Sequence, residues 1–157
     1  ANRLRARRVR GRLVGLDYNT RAAASMGEES KSYAEINVVR GDALALPFAA
    51  KTFDYAICSL FTHHFVNEKI VAVLAEMSRV ARRLFIIDLH RHPVAYLFYT
   101  TAGRMFLRNR LVREDGALSI RRGFRPDELR ALAMKAKLTN IRVVRRFPYR
   151  LVLSGGG

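Results

Sequence analysis

The sequence predicts an α/β fold: a mostly parallel sheet with helices on both faces and an antiparallel hairpin at the C-terminal end. Three observations carry that expectation. Short apolar runs that stop at a polar residue alternate with stretches of helical spacing, the pattern of strand–helix–strand units. The run Leu84-Phe85-Ile86-Ile87 is apolar without alternation, as a parallel strand covered on both faces must be. The last two strand-like runs, Ile141 to Phe147 and Tyr149 to Leu153, have only Pro148 between them, and so short a connection joins antiparallel neighbours.

Each element follows in order. Arg12 to Leu16 reads as a buried strand ending at Asp17. Asn19 or Thr20 then caps a helix with Arg21 to Met26 as its body, ended by the polar stretch from Gly27 to Ser32. Ile36 to Val39 is the second strand, stopped by Gly41-Asp42, and after a loop with Pro47 the third runs from Phe53 to Cys58 and ends at Ser59. Ile70, Val73, Leu74, Met77 and Ala81 share one helical face, with Glu68, Lys69, Glu76 and Arg79 largely off it. Arg83 to Asp88 is the fourth strand. Pro93 suits the first turn of an aromatic-rich helix from Val94 to Leu107. Residues 108–124 are basic and contain glycine, and read as irregular. Pro126-Asp127-Glu128-Leu129 opens a further helix with acids in its first turn, before the closing hairpin. Gly155-Gly156-Gly157 reads as a tail.

The 157 residues amount to a single domain, 1–157, in which 93–124 forms a helical and irregular insertion suited to a substrate lid. Half of the residues are apolar, enough for a true core and too many for a disordered tail. A lone cysteine, Cys58, excludes a disulfide framework and any cysteine-based metal cluster. No apolar run approaches the ~20 residues that span a bilayer, and no signal-peptide pattern opens the chain. The expected location is cytoplasmic.

The formal charge of +16 points towards nucleic acid until its distribution is read. Residues 1–12 carry six arginines and no acid, 13–103 are neutral, and 104–157 carry +10. The excess lies outside the segment with the chemistry, and 24 of the 29 basic residues are arginine, a bias that base composition of the gene alone produces. Nucleic acid is therefore not the expected partner. An anionic membrane surface or an acidic substrate stays open.

Asp17, Asp42, Ser59 and Asp88 each end or directly follow a predicted strand, which sets all four along the carboxyl edge of the sheet, where open α/β sheets bind ligands. A carboxylate at such a strand end accepts two hydrogen bonds from a ribose diol, and Asp17 has that position. Tyr18 beside it offers an aromatic face to an adenine ring. Asp42 can accept from an exocyclic amine while the Ala43 backbone N–H donates to a ring nitrogen. Together they form an adenosine-reading pair.

The segments Gly15-Leu16-Asp17, Gly41-Asp42-Ala43-Leu44-Ala45-Leu46-Pro47-Phe48, Thr52-Phe53-Asp54-Tyr55-Ala56-Ile57 and Phe61-Thr62-His63-His64-Phe65 resemble class I S-adenosylmethionine-dependent methyltransferases, closest to the small-molecule group of ubiquinone and menaquinone biosynthesis. The resemblance runs from about Leu13 to Leu153, and its most specific piece is Gly-Asp-Ala-x-x-Leu-Pro-Phe followed by Phe-Asp-Tyr. It implies a Rossmann-like fold and S-adenosylmethionine as cofactor. Asp17 would bind the ribose hydroxyls, with Tyr18 and Asn19 near the adenosine. Asp42 and Ala43 would read the adenine, and Ser59 would sit behind the methionine part. Phe124-Arg125-Pro126-Asp127-Glu128-Leu129 and the hairpin match later elements of the family. The family's first strand and glycine-rich loop, due upstream of Asp17, are absent from this sequence, and the chain begins at Ala1 without Met. The expectation is a truncated piece of a longer polypeptide.

The implied reaction is in-line methyl transfer to a small, apolar or aromatic acceptor, with much of the rate supplied by holding donor and acceptor in line. A base is needed where the acceptor arrives protonated. His63 and His64 follow the third strand, His90 the fourth, and His64 is the first choice for that role. The four histidines lack metal-ligand spacing, so no metal site is expected. Tyr96, Phe98, Tyr99, Met105 and Phe106 would line a lid, which Arg104, Arg108 and Arg110 would hold against an anionic membrane. Three alternatives remain: a nicotinamide-dependent oxidoreductase, which shares the ribose carboxylate but leaves the Gly-Asp-Ala segment unexplained; an RNA-binding or RNA-modifying protein; and a non-catalytic methyltransferase-like fragment. The acceptor, the atom methylated and the oligomeric state are not written in the sequence.

Overall fold

The computed structural model describes residues 6, 8, 10–106 and 110–157; the side chains of 102–113 lie outside that description. The chain forms two compact units, Ala1–Pro47 and Phe48–Gly157, each described by itself.

In the first unit, β1 (Leu13–Asp17) and β2 (Ile36–Arg40) pair in parallel, with Leu13 opposite Ile36 and Asp17 opposite Arg40. The crossover helix α1 (Thr20–Ser30) begins where expected, because the Asn19 side chain accepts from the N–H groups of Arg21 and Ala22 at 2.9 and 3.3 Å. It runs on through Gly27, which the sequence reading took as its end. A single glycine weakens a helix by only about 1 kcal/mol, and here Glu28, Glu29 and Ser30 continue the turn.

The second unit holds a four-stranded sheet of order β3-β4-β6-β5, built from β3 (Phe53–Ser59), β4 (Ala81–Leu89), β5 (Thr139–Arg146) and β6 (Arg150–Gly156). β3 and β4 are parallel; β6 runs antiparallel to both β4 and β5. The mixture of parallel pairs and a closing antiparallel hairpin is the predicted α/β class.

Between β3 and β4 lie a single 3-10 turn, Thr62–His64, and helix α2 (Asn67–Val80). α2 buries Ile70, Val73, Leu74, Met77 and Val80, the expected stripe with Val80 as its last member. Ala81, expected on that stripe, is instead the first residue of β4, with no loop between them. The stripe meets Leu84 and Ile86 of β4, Leu129, Leu132 and Ala133 of α5 (Pro126–Lys135), and Leu151 and Leu153 of β6 in one buried core. Each of the Val, Leu, Ile and Met side chains contributes about 1.5–3 kcal/mol by leaving water.

Two further expectations need correction. Helix α3 (Pro93–Phe106) matches the aromatic segment, but residues read as irregular form a second helix, α4 (Arg110–Arg122). Its apolar residues are too sparse for a legible stripe, yet Arg, Leu, Glu and Ala are all good helix formers. Gly155 and Gly156 are not a tail: they pair with Leu84 and Arg83 in β6. A Cβ at Gly156 would lie 2.9 Å from the Arg82 carbonyl oxygen, so glycine is what lets the strand close there. Beyond it, the carbonyl of Gly157 accepts from Lys51 Nζ at 2.8 Å, and the same ammonium donates to the carbonyls of Ser78 and Ala81. No helix among the described residues is long and apolar enough to cross a membrane.

Candidate functional site

The first unit gathers five of the residues singled out in the sequence. Asp17 closes β1 and Asp42 lies two residues past the end of β2, so the two carboxylates end adjacent parallel strands on the same edge. Asp17 Oδ1 accepts from the Asn19 N–H at 2.7 Å, which turns the chain into α1 and fixes the carboxylate. Among the described residues its Oδ2 has no partner. Tyr18 is 69% exposed, with a bare aromatic face.

Asp42 sits in a tight turn. Its Oδ1 accepts from the Leu44 N–H at 2.9 Å and its carbonyl from the Ala45 N–H at 3.1 Å. The amide that precedes these two, the Ala43 N–H, has no partner among the described residues. The turn presents an acceptor, Asp42 Oδ2, next to a donor, which is the pairing an adenine edge requires. Gly41 makes the turn compact: a Cβ there would approach the Pro47 ring to 3.3 Å and Leu16 Cδ1 to 2.9 Å. Gly-Asp-Ala followed by Pro is thus one packed object.

Ser59 and His64 belong to the second unit. Ser59 is the exposed last residue of β3, opposite Ile87. His64 ends the 3-10 turn and is exposed; its ring lies 4.1 Å from that of His63, tilted by 38°.

The sequence reading missed how Asp88 is used. Rather than facing a ligand, it is fully buried in β4 and binds the 3-10 turn. Oδ2 accepts from the Thr62 N–H at 2.9 Å, the Thr62 hydroxyl at 2.6 Å and the His63 N–H at 3.2 Å. Oδ1 lies 2.6 Å from His63 Nδ1 and accepts from the Leu89 N–H at 2.7 Å. Five donors thus replace the water that a buried carboxylate loses. Because Asp88 already accepts from four N–H and O–H donors of Thr62, His63 and Leu89, it accepts here too, and His63 Nδ1 is the donor of this bond. One signal was legible: a carboxylate inside the apolar run Ile86-Ile87-Asp88-Leu89 must find donors. Burial, and then the charge of Asp88, pushes the neighbouring Cys58 thiol from 9.0 up to about 12, so it stays protonated and unreactive at neutral pH. His90 is also buried, its pKa lowered by desolvation, then by Arg145 and His92.

Among the described residues no group of three His, Cys, Asp or Glu could hold a metal ion. Met105, Phe106, Arg104, Arg108 and Arg110, named for the lid and its membrane contact, lie outside the residues whose side chains are described.

A family model for the methyltransferase domain matches residues 1–83, just over half of the chain. The chain belongs to that family. Among curated relatives, this methyltransferase-domain protein is 49% identical over 53 residues to a 2-phytyl-1,4-naphthoquinone methyltransferase of Thermosynechococcus vestitus, covering 32% of this chain and 24% of that protein. It is 31% identical over 72 residues to a demethylmenaquinone methyltransferase of Bacillus licheniformis, covering 46% and 30%. The chain thus spans only 24 to 30% of the length of these relatives. A solved S-adenosylmethionine-dependent methyltransferase from Aquifex aeolicus superposes with a TM-score of 0.68 at 15% identity, over 92% of this chain and 68% of that one. The fold is therefore the Rossmann-like one of that enzyme class.

Proposed function

We propose that this methyltransferase-domain protein moves a methyl group from S-adenosylmethionine to a small acceptor with an apolar, aromatic body. The observation that carries the reading is the pair Asp17 and Asp42 at adjacent strand ends, with the Ala43 amide, unpartnered among the described residues, beside the second. Family membership supports the reaction, and relatives named as 2-phytyl-1,4-naphthoquinone and demethylmenaquinone methyltransferases support the acceptor class.

When bound, the cofactor supplies an electrophilic methyl carbon on a sulfonium; the chain binds, orients and moves protons. Asp17 accepts from the ribose hydroxyls. Asp42 and the Ala43 amide hold the two polar positions of the adenine edge, Tyr18 covers a ring face, and Asn19 keeps Asp17 in place through its own N–H. Ser59 supports the amino-acid end. His64 takes the proton that a hydroxyl-bearing acceptor gives up, and His63, held by Asp88 and stacked on His64, is its positioning residue. On α3, Val94, Leu97 and Phe98 share one face and are 52, 61 and 69% exposed, which supports a lid that meets a lipid-like acceptor at an anionic membrane surface.

Calorimetry on the full-length polypeptide tests the core of this reading. S-adenosylhomocysteine should bind and NAD should not; preference for NAD, or S-adenosylhomocysteine affinity unaltered by Asp17→Ala with Asp42→Ala, overturns it. Co-sedimentation with phosphatidylglycerol vesicles at low salt tests the membrane contact, and absence of binding removes it.

A further inference from the structure

A cavity of about 340 Å³ opens in the second unit between Phe65, the start of α2, Arg91 beyond β4, residues 122–124 at the end of α4, and α5. Its apolar wall is made by Phe65, Ile70, Phe124 and Leu132. Three cations line it: Arg91, Arg122 and Lys135. They are not equivalent. Arg91 Nη2 is paired with Glu128 Oε1, and Glu128 Oε2 is already taken by the Arg125 N–H at 2.9 Å. The single carboxylate of the lining is therefore fully used. Among the described residues neither Arg122 nor Lys135 has a hydrogen-bond or ion-pair partner. The wall between them is fixed, because the Phe124 N–H donates to the Leu89 carbonyl and the Phe124 carbonyl accepts from the Arg91 N–H, both at 2.9 Å.

A concave apolar wall combined with two unneutralised cations suits a ligand of matching make-up. We propose that this cavity binds a small amphiphilic anion, an apolar body carrying a phosphate or carboxylate head, with the body against Phe65 and the accessible edge of Phe124 and the head between Arg122 and Lys135. The volume falls at the lower end of small-molecule sites. Arg122 offers a planar fork to two oxygens of the head, and Lys135 adds a compact charge. Glu128 sets selectivity by holding Arg91 aside and repelling a second anionic group. None of these residues belongs to the adenosine-binding set, so the site is distinct from the one proposed for the cofactor.

The test is calorimetry of the full-length polypeptide against octyl phosphate, inorganic phosphate and octanol. Octyl phosphate should bind at least about tenfold more tightly than either fragment, because both halves of the ligand contribute. Arg122→Ala with Lys135→Ala should weaken octyl phosphate by about tenfold or more, while Arg82→Ala, an exposed arginine away from the cavity, should leave it unaltered. Circular dichroism and S-adenosylhomocysteine affinity of the double variant should match the parent, which separates this site from the cofactor site. Vesicles of phosphatidylglycerol distinguish the source of the head. Vesicle binding lost in the double variant assigns a lipid headgroup, and vesicle binding indifferent to it assigns a soluble anion. Octyl phosphate binding that survives the double variant, or falls equally with Arg82→Ala, overturns the proposal.

Discussion

Asp88 Oδ1 and His63 Nδ1 lie 2.6 Å apart with almost no solvent at either side chain, which makes this pair the polar centre of the second unit. Twenty-five residues separate them in sequence, and the parallel register of Ser59 against Ile87 brings them level. Replacing Asp88 with Ala strands four buried donors of Thr62 and His63, and should lower stability by at least about 3 kcal/mol in urea denaturation. Thr62→Val, which removes one donor, should cost about 1 kcal/mol. Equal losses for the two would show that the carboxylate acts through the Thr62 hydroxyl alone.

The proton on His63 Nδ1 can be read by nitrogen-15 NMR, which separates the two neutral tautomers. The expected spectrum has a protonated Nδ1 in the parent. In a folded Asp88→Asn variant the tautomer should mix. In kinetics, His64→Ala should lower kcat by about a hundredfold or more for a hydroxyl acceptor and leave KM nearly constant. His63→Ala should act on kcat in the same direction by a smaller factor, with partial rescue by His63→Gln.

Asp17 and Asp42 should each contribute about 1.5–3 kcal/mol to S-adenosylhomocysteine affinity, the range for hydrogen bonds to a charged group. Calorimetry of Asp17→Asn and Asp42→Asn measures this directly. An adenosine analogue without the ribose diol should be insensitive to Asp17→Asn but still sensitive to Asp42→Asn.

His90 predicts a pH dependence with a definite sign. Its folded pKa lies below the ordinary 6.5, chiefly through burial. Below about pH 6.5 the unfolded chain therefore binds a proton that the native state resists, and stability falls as pH drops towards the native pKa. His90→Gln should flatten that acid limb between pH 7 and 5 and leave the neutral range little altered. Urea midpoints at a series of pH values check it.

Gly156→Ala should destabilise by about 1–3 kcal/mol, since the added methyl meets the Arg82 carbonyl, whereas Gly27→Ala, with open space around it, should stabilise α1 slightly. Thermal melts of the two variants give opposite signs.

These sites differ in how far the sequence revealed them. Asp17 and Asp42 were legible because each follows a strand-like run directly, so local order alone gives their edge of the sheet. The α2 stripe was legible for the same reason, as its spacing is its own evidence. The Asp88–His63 pair was not: it exists only through the register of two strands joined by a helix. Arg122 and Lys135 belong to the basic excess of residues 104–157, and only the fold sets them on one cavity. Gly155 and Gly156 have no side chain to betray a pattern, and their place in β6 follows from the backbone approach of Arg82.

Val80 ends α2 and Ala81 begins β4 with nothing in between, and both are almost wholly buried. That corner is a welded elbow. With no loop residue between them, the end of α2 and the start of β4 share one buried corner, and β4 runs from it to Asp88. A chain break or insertion at this corner should therefore cost more stability than one at Phe147, which is 95% exposed in the β5–β6 turn.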